Sequence, residues 1–75
     1  MFNFFNSLQG EKLSSNTERG VYELFATRYN VKTVDKIGNN KFRVWLCDGK
    51  WMTVDTWPHT TMFGNEVTTV QYVHE

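Results

Sequence analysis

The spacing of apolar residues predicts one main helix in the first half of the chain. Four apolar side chains recur at the i, i+3, i+4 and i+8 positions of one helix face: Val21, Leu24, Phe25 and Tyr29. Ser15 and Glu18 stand three residues apart, as in a capping box, so we predict a helix over residues 16–29. Gly20 costs a helix interior roughly 1 kcal/mol relative to Ala, which indicates a weak first turn.

The segment before this helix is short and apolar. Phe4, Phe5 and Leu8 are at helical spacing, and Gly10 follows them. A helix of this length is marginal on its own. We therefore expect the segment before the main helix, residues 1–13, to pack as an extra turn against the domain.

From Val31 onward, strand-like runs alternate with turn residues. The predicted turns lie at four places: Gly38-Asn39-Asn40, Asp48-Gly49, Pro58 and Gly64-Asn65. The last run, residues 66–74, is rich in Val and Thr and has high β propensity. The pattern predicts an antiparallel meander of four or five short strands over residues 31–74.

The register of the central hairpin follows from its turn and from the sorting of its side chains. Cys47-Asp48-Gly49 suits a three-residue loop with Gly49 in the position that needs a positive φ. That loop predicts five cross-strand pairs: Lys41 with Asp55, Phe42 with Val54, Arg43 with Thr53, Val44 with Met52 and Trp45 with Trp51. A two-residue loop would oppose Phe42 to Asp55 and mix the two faces, so the three-residue loop is favoured.

The two faces of this hairpin differ in chemical character. One face carries only apolar side chains: Phe42, Val44, Met52 and Val54. The other face carries Trp45 and Trp51 with Arg43 and Lys41 beside them, and Trp57 has the same strand parity as Trp51. The tryptophan face therefore becomes the main candidate for a binding site.

Two interpretations of the tryptophan face remain open. In the first, it is a second layer of core, covered by the final strands or by the N-terminal aromatic residues Phe2, Phe4 and Phe5. In the second, the helix covers only the other face, and the tryptophans form an exposed apolar patch rimmed by charge. Such patches usually mark a site for a protein partner.

Length and composition limit the fold to one small domain, residues 1–75. The chain is too short for an enzyme with a cofactor-binding fold of its own, and no cofactor is expected. Aromatic residues make up 16% of it, which gives a small core enough bulk. We predict an α+β fold with one main helix packed on the antiparallel meander. The alternative is a small SH3-like barrel with the helix at one end.

The residues that could carry catalysis or bind a metal are few. Cys47 is the only cysteine, which excludes an intrachain disulfide and indicates a reducing, cytoplasmic setting. A Cys47–His59 pair would be the one nucleophile arrangement to consider, yet nothing marks an oxyanion hole beside it. Neither residue stands at metal-ligand spacing with His74. The sequence therefore predicts a non-catalytic protein without a metal, and no run of about 18 apolar residues predicts a membrane span.

The charge distribution keeps nucleic acid as an alternative partner. Eight Lys and Arg balance eight Asp and Glu over the whole chain. Residues 31–57 hold five basic against three acidic residues, a local charge of +2. Tryptophans beside Lys and Arg on a sheet could stack bases while neutralising phosphates.

A protein partner is the favoured interpretation, since the overall neutral charge lacks the cationic pull of a dedicated nucleic-acid binder. The candidate binding residues are those of the tryptophan face: Trp45, Trp51, Trp57, Arg43 and Lys41. A second copy of the chain would also qualify as the partner, giving a homodimer. A neutral single-domain chain of this size is typical of accessory or inhibitory proteins, including those that bacterial viruses encode.

Overall fold

One helix packs on a five-stranded antiparallel sheet in the computed structural model, which describes residues 8–74. In chain order the elements are β1 (Lys12–Leu13), α1 (Glu18–Phe25), β2 (Val31–Gly38), β3 (Lys41–Leu46), β4 (Trp51–Thr60) and β5 (Glu66–His74). The strands lie in the order β1-β5-β4-β3-β2. The predicted α+β fold is confirmed, and the sheet is open instead of closing into a barrel.

The helix is shorter at both ends than the predicted span of residues 16–29. It begins after Thr17, which is the N-cap in place of Ser15, and the Thr17 side chain accepts a hydrogen bond from the Gly20 amide. It ends at Phe25, because the Thr27 and Arg28 amides bond to carbonyls three residues back and the Thr27 hydroxyl donates to the Leu24 carbonyl at 2.6 Å. The Tyr29 amide bonds to the Phe25 carbonyl at 2.8 Å, so the residues after Phe25 close a turn and α1 does not continue to Tyr29.

Asn16, predicted as the first helical residue, serves instead to fasten the helix entry to the sheet. Its side-chain oxygen accepts from the Thr56 hydroxyl at 2.8 Å, and its side-chain nitrogen donates to Asn40 Oδ1 at 2.8 Å. Asn40 has a φ of 54°, and its carbonyl accepts from the Thr56 amide at 2.8 Å. Thr56 is buried, so this network supplies the partner that its hydroxyl needs.

Gly20 is required by packing, which corrects the interpretation of it as merely a weak point of the helix. A Cβ at this position would overlap the backbone carbonyl of Ser15. The chain entering α1 therefore passes against the first helical turn, and only a residue without a side chain leaves room for it.

Glu23 accepts two side-chain hydrogen bonds on the exposed side of α1. Its carboxylate accepts from the Ser14 hydroxyl at 2.9 Å and from Arg19 Nε at 3.1 Å. The Ser14 bond, and after it the Arg19 bond, hold the pKa of Glu23 below its usual value. The helix is thereby linked to the segment that leaves β1.

The segment before the helix forms a short strand in addition to the predicted turn. Lys12 and Leu13 pair with Thr69 and Thr68 of β5, so β1 forms one edge of the sheet. Leu8 is buried in the core. Phe2, Phe4 and Phe5, which we expected to cover a sheet face or to pack as part of a turn, lie outside the described residues.

The register of the β3–β4 hairpin is the predicted one. All five pairs are present, from Lys41 opposite Asp55 to Trp45 opposite Trp51. Gly49 has a φ of 92°, and the Leu46 amide and carbonyl close the loop with Lys50 and Gly49. The three-residue loop therefore sets the register, as its glycine predicts.

The β4–β5 hairpin uses the same kind of loop, with one irregularity along its length. Met62-Phe63-Gly64 forms the loop, Gly64 has a φ of 86°, and Thr61 bonds to Gly64 and Asn65. Further along, Asp55 pairs with Tyr72 while Thr56 pairs with Val70, which leaves Gln71 as a bulge.

The core lies between α1 and one face of the sheet. Its buried apolar members come from the helix, from all five strands and from Leu8: Leu8, Leu13, Val21, Phe25, Val31, Val34, Phe42, Val44, Met52, Val54, Val70 and Val73. The predicted apolar face of the central hairpin is wholly included. Because α1 lies on this side, the tryptophan face is left on the other.

Phe25→Ala should cost about 3–5 kcal/mol of unfolding free energy, since Phe25 is fully buried and its removal leaves a cavity. Chemical denaturation followed by circular dichroism measures the change. Tyr22→Ala on the exposed side of α1 is the control and should cost less than about 1 kcal/mol. A loss below about 1 kcal/mol for Phe25→Ala would show that the apolar stripe is not core.

Gly20→Ala should destabilise the domain by roughly 1–3 kcal/mol through overpacking against Ser15, although Ala is the better helix former. Gly38→Ala is the matched control, since its Cβ would lie 3.8 Å from Lys41 Cβ, an ordinary contact. The midpoint of thermal unfolding compares the two variants. Stabilisation by Gly20→Ala would contradict the close approach of the Ser15 backbone.

Candidate functional site

The sheet face opposite α1 carries aromatic and charged side chains, and we call it the open face. Its members come from four strands: Asp35, Lys41, Arg43, Trp45, Trp51, Asp55, Trp57, His59, Tyr72 and His74. The strand pairings bring them to one side, since each lies opposite, or two positions along from, another member. Among residues 8–74, no helix or strand packs over them.

Arg43 stacks on the tryptophan pair at one end of the open face. The Trp45 and Trp51 ring centroids are 6.1 Å apart, with their planes at 53°. The Arg43 guanidinium carbon lies 4.3 Å from the Trp51 centroid and 6.0 Å from that of Trp45. A cation over an indole ring is attracted to its π-electron face, so the three side chains hold one another in place.

Asp35 completes this cluster from the neighbouring strand. Its carboxylate accepts the Trp45 indole N–H at 3.0 Å, and it lies opposite Arg43 in the β2–β3 pairing. Arg43 Nε is buried and has no hydrogen-bond acceptor within the part of the chain that the structure describes. A buried charged donor without an acceptor is costly, so this atom marks a place where a bound partner could contribute.

A second group of charges lies at the middle of the open face, around Asp55. One carboxylate oxygen is 3.8 Å from Lys41 Nζ, and the other is 3.3 Å from His74 Nε2. The Tyr72 and His74 rings meet edge to face at 4.4 Å. The open face thus carries the two basic residues Lys41 and Arg43 and the two acidic residues Asp35 and Asp55, whose formal charges balance.

Trp57 and His59 form a separate aromatic pair further along β4. Their rings stack at 3.7 Å with an angle of 16°, and His59 Nδ1 lies 3.0 Å from the Trp57 carbonyl oxygen. Trp57 is 51% exposed and Trp51 is 41% exposed. Trp57 is six residues from Trp51, or about 20 Å along the strand, so the aromatic surface runs the length of the open face.

The five residues proposed from the sequence all lie on this face, in three places. Trp45, Trp51, Arg43 and Lys41 belong to the two groups on β3 and the start of β4, whereas Trp57 pairs with His59. The sequence interpretation missed four participants: Asp35, Tyr72, His74 and His59, the last because a turn was predicted at Pro58, which instead lies inside β4. Register shifts on both sides of Asp35 in β2 mean that its cross-strand partner does not follow from the sequence pattern. The bulge at Gln71 has the same effect for Tyr72 and His74.

The side chains considered for catalysis or metal binding are not brought together. Cys47 is exposed in the loop before β4, and His59 lies near the other end of that strand. Within residues 8–74, no group of three or more His, Cys, Asp or Glu side chains is placed to hold a metal ion. The one helix of this region is too short to cross a membrane.

Two grooves lie beside the strands. One, of about 570 Å³, runs along the outer half of the β4–β5 hairpin and is lined mainly by polar residues that include Ser14, Ser15 and Glu66. The other, of about 340 Å³, lies beside Trp45 and Leu46 where β3 ends. The second groove is continuous with the open face through Trp45.

No protein-family model, curated protein or solved structure matches this chain.

Proposed function

We propose that this chain is a small non-catalytic protein-binding module, of accessory or inhibitory type, whose open face contacts the partner. The observation that carries the proposal is the Trp51–Arg43–Trp45 cluster, with its half-exposed indole and its unsatisfied guanidinium nitrogen. Trp, Tyr and Arg are the residues most enriched among those that dominate binding energy at protein interfaces. Tyr72 and Trp57 extend this composition across the open face.

The internal contacts of the cluster support its use in binding. Asp35 and Trp51 fix the positions of Trp45 and Arg43 before any partner arrives. Less side-chain entropy is then lost on association, which increases the affinity that a given contact area delivers. The charges around Asp55 form a polar region beside the aromatic one, which adds hydrogen-bonding groups to the apolar contact area.

The same charges argue against nucleic acid as the partner. Lys41 is close to Asp55, and Arg43 lies opposite Asp35, so each cation has an acidic neighbour that would repel a phosphate. Affinity for nucleic acid depends mainly on cations that neutralise phosphates. The face offers aromatic rings for stacking but little of this electrostatic attraction.

Titration with labelled single-stranded and duplex DNA and RNA should show only weak binding at low salt. Fluorescence anisotropy at low and moderate salt measures it. Tight binding that weakens steeply with salt, as release of counterions requires, would contradict the proposal and make Trp45, Trp51, Lys41 and Arg43 a base-stacking surface.

Trp51→Ala should weaken partner binding by about 2 kcal/mol or more, the scale of an interface hot spot. The fold should lose only about 1 kcal/mol of stability or less, because Trp51 is half-exposed and contributes mainly a cross-strand pair. Tagged wild-type and variant chains are compared in affinity capture from the native host, with untagged copies of the chain among the candidate partners. Tyr22→Ala, equally exposed but on α1, is the control.

Two results would count against a binding role for the open face. One is unchanged capture by a correctly folded Trp51→Ala variant. The other is complete unfolding of that variant, because Trp51 would then belong to a second core layer and not to a binding surface.

A further inference from the structure

The loop between β4 and β5 exposes two large apolar side chains. Met62 is 90% exposed and Phe63 is 84% exposed, in the middle of the three-residue loop that Gly64 closes. A loop of this type needs a glycine only at its third position, so turn geometry does not require apolar residues at the first two. We call Met62 and Phe63 the hairpin tip.

The groove of about 340 Å³ at the end of β3 has the complementary character. Trp45 and Leu46 provide its apolar lining, Cys47 and Gly49 lie at its loop end, and Lys32 and Thr33 lie on the β2 side. We call it the β3-end groove. If such a surface covers an aromatic side chain, much of the apolar area that the tip exposes to water becomes buried.

The tip and the β3-end groove lie at opposite ends of one strand. β4 is ten residues long, about 33 Å, with the Cys47-Asp48-Gly49 loop before it and the Met62-Phe63-Gly64 loop after it. A chain cannot place its own tip in its own groove. The middle residues of the two loops, Asp48 and Phe63, are equally far along the sequence from the centre of β4, between Asp55 and Thr56.

The placement of the tip and the groove at opposite ends of β4 allows a symmetric assembly of two copies. If two copies face each other across a two-fold axis that lies between the two sheets and crosses the middle of β4 roughly at right angles to the strand, the tip end of each copy lies over the β3-end groove of the other. The contact is the same in both directions, so the assembly closes at two copies. A contact without this symmetry would continue from copy to copy.

Charge also favours this pairing. No Lys or Arg occurs from Trp51 to the end of the chain, and Glu66 lies close to the tip as the pairing partner of Thr60. The β3-end groove instead has Lys32 in its lining, with Asp48 and Lys50 on either side of Gly49, so the local formal charge is +1. The loop itself carries no Lys or Arg that could bind an anionic membrane surface.

The open face is large enough for such an assembly. A standard interface takes about 800 Å² of accessible surface from each partner, and β4 alone runs for about 33 Å through the open face. The half-exposed Trp51, Trp57 and Tyr72 would all lie within the contact.

We propose that the partner of the open face is a second copy of this chain, in a two-fold dimer where each hairpin tip covers the β3-end groove of the other copy. This inference rests on the proposed function and names the partner of the same face. The tip is the anchor, the tryptophan cluster borders the groove, and the charges around Asp55 lie near the two-fold axis.

Sedimentation equilibrium of the purified full-length chain, from low micromolar to millimolar concentration, tests the dimer. We expect wild type to follow a monomer–dimer equilibrium with no larger species. A double variant, Met62→Ser with Phe63→Ser, should raise the dissociation constant at least about 30-fold, as the loss of an interface hot spot does. Both residues lie in an exposed loop, so the variant should keep its circular dichroism spectrum.

Tyr22→Ser is the matched control, since Tyr22 is a comparably exposed aromatic residue on the helix side. Its dissociation constant should stay within about twofold of wild type, as expected for a residue outside the interface. Dimerisation that the tip variant leaves unchanged would overturn the inference, as would equal weakening by Tyr22→Ser.

Cysteine cross-linking tests the geometry. In a Met62→Cys variant, mild oxidation with copper phenanthroline should join position 62 of one copy to Cys47 of the other, because Cys47 is exposed beside the groove. Two such links close a covalent dimer, and peptide mapping identifies them. Asn39→Cys, at the tip of the β2–β3 hairpin, should not form the corresponding link. A ladder of larger products would overturn the two-fold arrangement.

Failure of the dimer and failure of the proposed function give different results. A monomer at all concentrations that still captures another protein through Trp51 would overturn the dimer and leave the protein-binding function standing. A monomer whose tryptophan fluorescence resists acrylamide quenching would overturn both, since the open face would be covered within the same chain. Binding of Met62 and Phe63 to phosphatidylcholine vesicles in place of dimerisation would overturn the dimer.

Discussion

A single short helix that must cover a five-stranded sheet is the constraint on which the rest of the structure depends. An eight-residue helix is only about 12 Å long, and α1 lies on one side of the sheet. The apolar side chains of the strands must therefore gather on that side, where Phe25 and Phe42 are fully buried. The opposite side receives the residues that tolerate water, and that division creates the open face.

The part of the fold that follows from this division could be predicted from the sequence. In the β3–β4 hairpin, alternation of apolar and polar residues and the glycine at position 49 point to the same register, since a slip of one residue would turn Phe42 and Val54 towards water. The placement of Trp45, Trp51, Arg43 and Lys41 on one face follows from that register. Local rules and the hydrophobic pattern agree here, and such agreement makes a prediction reliable.

The features that the sequence did not reveal depend on contacts between distant segments. The start of α1 is set by Asn16 bonding to Asn40 and Thr56, residues 24 and 40 positions away, which no local capping pattern contains. The bulge at Gln71 turns both Val70 and Val73 towards the core, although they are three residues apart. The same bulge determines that Tyr72 and His74 reach Asp55, so this half of the candidate site was out of reach of period-two reasoning.

Most side chains of the open face contact one another, whereas Arg43 Nε and Asp55 Oδ1 are buried without a hydrogen-bond partner among the described residues. Asp35 accepts the Trp45 indole N–H, Arg43 covers part of Trp51, and Asp55 lies between Lys41 and His74. Each of these contacts reduces the cost of leaving large aromatic rings in water, while the buried core on the other side supplies the stability. Because the core and the proposed binding surface lie on opposite sides of the sheet, residues of the open face can change while the core keeps its structure. A surface of this kind suits a reversible contact better than an obligate one, since obligate interfaces resemble a hydrophobic core divided in two.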